Sequence, residues 1–318
     1  MNFHFSQILN KALEESKPIT IFCGAGTSRL IGCKGWDQLA HELLNKAVEL
    51  KLINFRKQND LTSINNSRKI ITICEGVFKK GSQDAKFDEC IRNALKPKVS
   101  LKHDEDKNIF KPLKKLVDQI ENKGFFTVNL ITTNYDNHLL DEFPKRAKEF
   151  SSVEDMNSDF FEKIDSTKVF YMHGHVDNQQ SLIVTVSDYL KLYAKSDFKE
   201  HMKKLFEKSL ILFLGYSLNE FELLSMTIDP NNTTALSHYT LEGYFDVNGS
   251  EFTELDKYYF HGLGIDPIPY EKTHKSYHQQ IDLLKEWIQQ VEDWKPDLYE
   301  KFRETESLAK EILEGDLL

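Results

Sequence analysis

The apolar positions of the chain switch between two periods. Phe5, Ile8, Leu9 and Leu13 recur at helical spacing over residues 2–16. Pro18 stops that helix, and Ile19, Ile21, Phe22 and Cys23 form the continuous apolar run of a strand buried on both faces. The glycines of GAGTS (24–28) end the strand. Trp36, Leu39, Leu43, Leu44, Ala47 and Leu50 then mark an amphipathic helix. Residues 54–123 carry few strand signals. Ile70, Ile73 and Val77 predict one helix, Phe87, Ile91 and Leu95 a second that stops at Pro97, and Phe110, Leu113, Leu116, Val117 and Ile120 a third that stops at Gly124. The charged stretch KPKVSLKHDEDKN between the last two reads as an exposed loop. The region as a whole, about 54–123, is expected to be a helical lobe set into an α/β core.

Strand patterns then return. FFTVNLITTN (125–134), KVFYMHGH (168–175), SLIVT (181–185), SLILFLGYS (209–217), LSHYTLEGYFD (236–246) and GIDPIPY (264–270) each read as a strand. Helices are expected at about 187–207, 219–226, 251–261 and 274–292. A tail with Leu298, Phe302, Leu308 and Ile312 predicts a peripheral helix over about 297–316, at an oligomer contact. Buried strands alternating with helices predict one α/β domain with a Rossmann-like, mainly parallel sheet covered by helices on both faces.

Composition adds limits. With 40% hydrophobic and 29% charged residues of mixed sign, the chain has the makeup of a soluble globular protein. A net charge of -9 argues against direct nucleic-acid binding, which needs clustered cations. An anionic ligand would have to be held locally, by backbone N–H groups or a helix start. Cys23, Cys33, Cys74 and Cys90 contain no C-x-x-C pair and read as free thiols of a reducing compartment. The opening MNFHFSQILNKALEESK lacks the apolar stretch of a signal peptide, and no apolar run nears the roughly 20 residues of a membrane helix. A cytoplasmic protein without a membrane association is expected.

The candidate chemistry stands at strand ends, where ligands bind in open parallel sheets. GAGTS (24–28), TTNYD (132–136), HGH (173–175) and GYS (215–217) can converge on one crevice. Gly24 and Gly26 let the backbone approach a pyrophosphate, and Ser28 adds a hydroxyl, although Arg29 stands where a third glycine of G-x-G-x-x-G would be. An ordinary tight turn explains the same residues. Asn134 and Asp136 suit hydrogen bonds to a ribose, a water or an amide, and equally the turn chemistry of a strand end. His173 is placed to take a proton from a hydroxyl or water, and Gly174 leaves room beside it. His175 is the lesser candidate, and two histidines without a further ligand predict no metal site.

Taken in order, GAG-x-S, T-x-N-x-D, HG and G-x-S resemble the sirtuin NAD-binding domain over about residues 17–270. The resemblance implies a Rossmann-like sheet with a smaller lobe and NAD between them. It implies that Gly24, Ala25 and Gly26, with Ser28, hold the pyrophosphate. Thr133, Asn134 and Asp136 would face the nicotinamide and its ribose, and Gly215 and Ser217 the adenosine part. His173 would act as general base, with Asn134 and His173 as the catalytic pair. Three departures bear on the activity. The chain lacks the two C-x-x-C pairs that hold a structural zinc, so no zinc ribbon is expected. It runs RLIGCKGWDQLA where sirtuin deacylases carry P-D-F-R, and T-N-Y-D where they carry Q-N-I-D. In these respects, and in YYFHGLGIDPIPY (258–270), it is similar to the sirtuin-like NAD hydrolases of bacterial antiphage defence, the Thoeris effector and the defence-associated sirtuins.

The implied activity is NAD hydrolysis to nicotinamide and ADP-ribose as an abortive-infection effector, with NAD as substrate and no metal. An NAD-dependent protein deacylase and a non-catalytic NAD or ADP-ribose binding module are the alternatives. An NAD hydrolase needs restraint in its host, so the expected partners are further copies of the chain, an activating protein or a phage component, unless the chain is part of a longer protein.

Overall fold

The structure, a computed structural model, describes residues 3–96, 107–144, 169–177, 182–216, 218, 238–245, 251–273 and 278–296. Its frame is a six-stranded, all-parallel sheet: β1 (Ile19–Cys23), β2 (Val128–Thr132), β3 (Val169–Tyr171), β4 (Leu210–Leu214), β5 (His238–Tyr244) and β6 (Ile265–Glu271). The order β3-β2-β1-β4-β5-β6 is that of a doubly wound Rossmann-like fold, and it reverses between β1 and β4. The α/β expectation holds.

The apolar runs become strands because both faces of the sheet are covered. On one face Ile19, Ile21, Leu130 and Leu212 pack with α1 (Ser6–Glu14), α7 (Phe110–Asn122) and α12 (Gln279–Asp293), where Trp287 is fully buried. On the other, Phe22, Ile131, Phe170 and Phe213 pack with α9 (Val186–Ala194), α10 (Ser196–Lys208) and Phe260 of α11 (Glu251–His261). A third cluster joins α3 (Trp36–Glu49), α5 (Ser67–Lys80) and α6 (Asp84–Ala94) and receives Tyr135 and Val184 from the core. Two short helices, α2 (Ala25–Leu30) and α8 (His138–Glu142), follow β1 and β2, and α4 (Phe55–Thr62) lies at the outside of the lobe.

Four sequence expectations change. The Phe110–Ile120 helix, assigned above to the lobe, is α7, and its apolar face packs on the sheet. SLIVT is no strand over its described residues: Ile183 makes one backbone bond, to the His173 carbonyl, and Thr185 then caps α9 in a reciprocal pair with Asp188. The single helix expected over 187–207 is two, α9 and α10, parted at Lys195, whose backbone is extended. Helix α4 has no buried residue, so no apolar period betrays it; its start is set by Asn54, which accepts from the Lys57 N–H at 3.0 Å. The expected helices at 219–226 and 297–316, and Ser217, lie outside the described residues. Among the described residues no helix is long and apolar enough to cross a membrane, and all four cysteines are free thiols.

His238 at the start of β5 is buried, and its Nδ1 accepts the Ile211 N–H at 3.3 Å, which puts the proton of the neutral ring on Nε2. Burial, reinforced by Lys17 and Lys11, pushes its pKa down to about 3. A depressed histidine pKa means stability that is complete above the unfolded value near 6.5 and lost as the pH falls toward 3, at up to about 1.4 kcal/mol per pH unit. Between pH 6.5 and 5 the chain is therefore expected to lose about 2 kcal/mol more stability than a His238→Asn variant, which keeps an acceptor but does not titrate. Urea unfolding at the two pH values checks this; equal losses would place the titration elsewhere.

Candidate functional site

Strand register brings the motifs together. β1 pairs Cys23 with Thr132 on one side and with Leu214 on the other, and β2 pairs Thr132 with Tyr171. Parallel-type bonds continue past the strand ends: Gly24 N–H to Leu214 O, Thr133 N–H to Cys23 O, and Met172 N–H to Thr132 O. Gly24, Thr133 and Gly215 thus emerge abreast, with Asn134 and His173 one residue further on.

Gly24 and Gly26 are explained first by the neighbouring loop. A Cβ on Gly24 would lie 2.6 Å from the Gly215 carbonyl oxygen and from Tyr216 Cα, and one on Gly26 would lie 2.7 Å from the same oxygen. Gly215, at φ +58°, is in the left-handed region, and its own Cβ would meet Thr27 N at 2.5 Å. The Gly26 N–H donates to Gly215 O at 2.8 Å. The amides of Gly24 and Gly26 are therefore already bonded to β4 and its following residue, which leaves Ala25 as the residue of this glycine loop that faces the cavity described below.

Asn134 is the hub. Its Nδ2 lies 3.1 Å from Gly24 O, 3.1 Å from Thr27 Oγ1 and 2.9 Å from Ser28 Oγ. The carbonyl of Gly24 can only accept, so the NH2 end of the amide must face it. Ser28 Oγ donates onward to Asp136 Oδ2 at 2.7 Å, and Asp136 Oδ1 accepts the His138 N–H at 3.1 Å. Tyr171 OH donates to the Asp136 carbonyl oxygen at 2.9 Å. The remaining polar atom, Asn134 Oδ1, is buried without a hydrogen-bond partner among the described residues.

His173 is 1% exposed. Its Nδ1 lies 3.3 Å from Tyr189 OH and its Nε2 3.5 Å from Tyr193 OH, with the Tyr189 ring edge-on to the imidazole. The two tyrosines stand one turn apart on α9. Sequence reading missed them because an i, i+4 aromatic pair on a helix is indistinguishable from core packing until the helix is placed. Arg68 of α5 lies 4.4 Å over the Tyr189 ring and ties the lobe to this wall. His175 has a supporting place: its Nδ1 accepts the Asp177 N–H, its ring packs edge-on against Tyr171, and burial lowers its pKa.

Between the strand ends and the lobe lies a cavity of about 60 Å³. Ala25, Ser28, Thr133, Asn134, Asp136 and His173 line it from the strand ends and Trp36, Leu39, Ile91 and Leu95 from the lobe, with Cys33 and Tyr189 also in its lining. The structure thus brings six of the sequence-named residues to one cavity. Gly24, Gly26 and Gly215 support it from behind. The wall opposite the polar groups is apolar, which favours a flat uncharged ring and excludes water around it. Cys23, at the end of β1, is no nucleophile: burial, with Asp136 nearby, pushes its thiol up to about 12.

Residues 128–268 match the family model described as a SIR2-like domain. The match supports a sirtuin-like domain and is consistent with NAD-related chemistry, since SIR2-like domains use NAD as substrate. It takes in Asn134, Asp136, His173 and Gly215 and begins at β2; the Gly24–Ser28 loop reaches the same place through its contact with Gly215. No curated protein matches the chain.

The loop contact makes a stability prediction. Gly26→Ala sets a methyl against backbone that cannot give, and is expected to destabilise by about 1–3 kcal/mol. Gly76, inside α5 with nothing within 4 Å of its added Cβ, is the control: Gly76→Ala should stabilise by about 0.5–1 kcal/mol. Thermal unfolding of the two variants reads the difference in sign.

Proposed function

We propose that the chain cleaves the nicotinamide–ribose bond of NAD and passes the ribose to water, as an NAD hydrolase. The observation that carries this reading is the Asn134 amide, whose NH2 end is held by Gly24, Thr27 and Ser28 while its buried Oδ1 has no partner among the described residues, in a residue that lines the same cavity as His173. A buried acceptor without a donor costs about 1–3 kcal/mol, a penalty relieved when a hydroxyl or water donates to it.

The reaction needs little acid help. The C1′–N bond breaks with its electron pair going to the nicotinamide ring nitrogen, which neutralises the leaving group and leaves an oxocarbenium-like ribose. Burial of the neutral ring against the apolar wall draws it off the sugar. A water oxygen then bonds to C1′, orienting one hydrogen toward Asn134 Oδ1 and giving its proton to His173, which returns it to solvent. The products are nicotinamide, ADP-ribose and one proton. Tyr189 and Tyr193 hold the imidazole from its two nitrogens; with the Nε2 proton toward Tyr193, the water proton reaches Nδ1 through the Tyr189 hydroxyl, which lines the cavity and passes on its own proton as it takes the one from water. On this reading Thr133 and Asp136 bound the nicotinamide ribose, Ala25 and the start of α2 face the pyrophosphate, and Gly215 with Ser217 the adenosine side.

On this proposal, which the resemblance to sirtuin-like defence effectors supports, the activity serves NAD depletion during phage infection and is held in check by assembly or by a partner. A chain fully active as a dilute monomer would remove that control.

Asn134→Ala and His173→Ala are each expected to slow nicotinamide release by roughly 10²–10⁴-fold in the purified chain. Full activity in both variants would overturn the assignment, and turnover that requires an acyl-lysine peptide would make the chain a deacylase. Tyr193→Phe should lower kcat by roughly tenfold or less and shift the pH profile of kcat, with KM little changed; an unmoved profile would assign Tyr193 to packing alone.

A further inference from the structure

We infer that Cys33, Asp136 and His138 form a binding site for a borderline-soft divalent cation, Zn²⁺ in the first instance. All three are buried, and their ligand atoms lie within 4.8 Å of one another. Cys33 Sγ is 3.4 Å from His138 Nε2, and that nitrogen is 4.0 Å from Asp136 Oδ1. A tetrahedral zinc with one sulfur, one nitrogen and one oxygen ligand has ligand–ligand separations of about 3.4–3.6 Å. The three atoms close on a cation with shifts of tenths of an ångström to about one ångström. The donor set is also the right chemistry, since thiolate and imidazole together select zinc-like ions over magnesium and calcium.

A second observation points the same way. The other ring nitrogen, His138 Nδ1, is buried without a hydrogen-bond partner and lies 4.0 Å from Asp141 Oδ2. Zinc-bound histidines characteristically donate their second N–H to a carboxylate. A cation on Nε2 fixes the tautomer with its proton on Nδ1, on the side of Asp141, whose carboxylate becomes its partner on closing by about one ångström.

Cys33 and Asp136 both line the cavity, which supplies the entry path and a position for a fourth ligand such as water. Binding replaces the Cys33 thiol proton by the metal: the S–H bond breaks, the sulfur pair bonds to the cation and one proton is released to solvent. The thiol now donates to the Leu95 carbonyl at 3.3 Å, and that bond is given up. Because Asp136 accepts from Ser28, which accepts from Asn134, the cation sits at the end of the chain that holds the amide assigned to water. That last consequence rests on the NAD hydrolase reading; the metal site itself does not.

The test uses the reduced, metal-stripped full chain and needs no NAD. Zn²⁺ titrated against a chromophoric chelator should bind at one equivalent. Cys33→Ser and His138→Gln should each weaken binding at least tenfold, and Asp141→Asn by roughly tenfold. Thermal unfolding shows whether each variant is folded. Co²⁺ added to the unmodified chain should give a thiolate-to-cobalt charge-transfer band, a readout independent of any substitution. Absence of stoichiometric Zn²⁺ binding, absence of that band, or undiminished binding by folded Cys33→Ser would overturn the site.

Discussion

The arrangement of the cleft depends on one close approach, that of the loop after β1 to the loop after β4. Gly24 and Gly26 press their backbone on Gly215 at distances where any side chain would collide with backbone. This contact sits at the point where the strand order reverses, the place where an open α/β sheet has a crevice. It fixes the start of α2, and with it Thr27 and Ser28, at the height where Asn134 can reach both. Were the two loops to part, the amide would lose its fixed direction before any residue that touches a ligand had changed.

Burial gives this small network its stiffness. Asn134, Ser28 and Asp136 are each under 10% exposed, so each polar atom must find its partner within the protein. The series Asn134 to Ser28 to Asp136 to the His138 amide satisfies every member except Asn134 Oδ1. A network complete but for one buried acceptor, in a residue that lines the cavity, is preorganised for a donor, and preorganisation is what makes a polar group effective in catalysis. The helical lobe contributes the opposite character. It faces this network with Leu39, Ile91 and Leu95, and Tyr135, inside the TTNYD motif itself, is anchored in the lobe cluster. The same five-residue motif thus supplies the polar hub and a packing link between the two walls. The Arg68 contact with Tyr189 joins the lobe to the histidine wall in the same way.

Much of this was legible in the chain as written. Strands buried on both faces must be continuous apolar runs, so β1, β2 and β4 stood out, and strand ends carry ligands in a parallel sheet, so Asn134, Asp136 and His173 were named from their places alone. Elements without an apolar period were not legible. Helix α4 buries nothing, and SLIVT is apolar because Val184 enters the lobe cluster and Ile183 packs on the core, not because it pairs in the sheet.

The sequence by itself determined the periodicity, hence an α/β fold with a mainly parallel sheet, and the residue types at the strand ends, because both are properties of short stretches of chain. Only the tertiary structure decided what those residues touch. It assigned the glycines to a loop–loop contact, moved α7 from the lobe to the sheet, set Tyr189 and Tyr193 at the two nitrogens of His173, and gathered Cys33 beside His138 across 105 positions. The physical reason is that such contacts depend on register and helix placement, which are settled by how buried faces across the whole chain fill space together, and no local pattern encodes that sum.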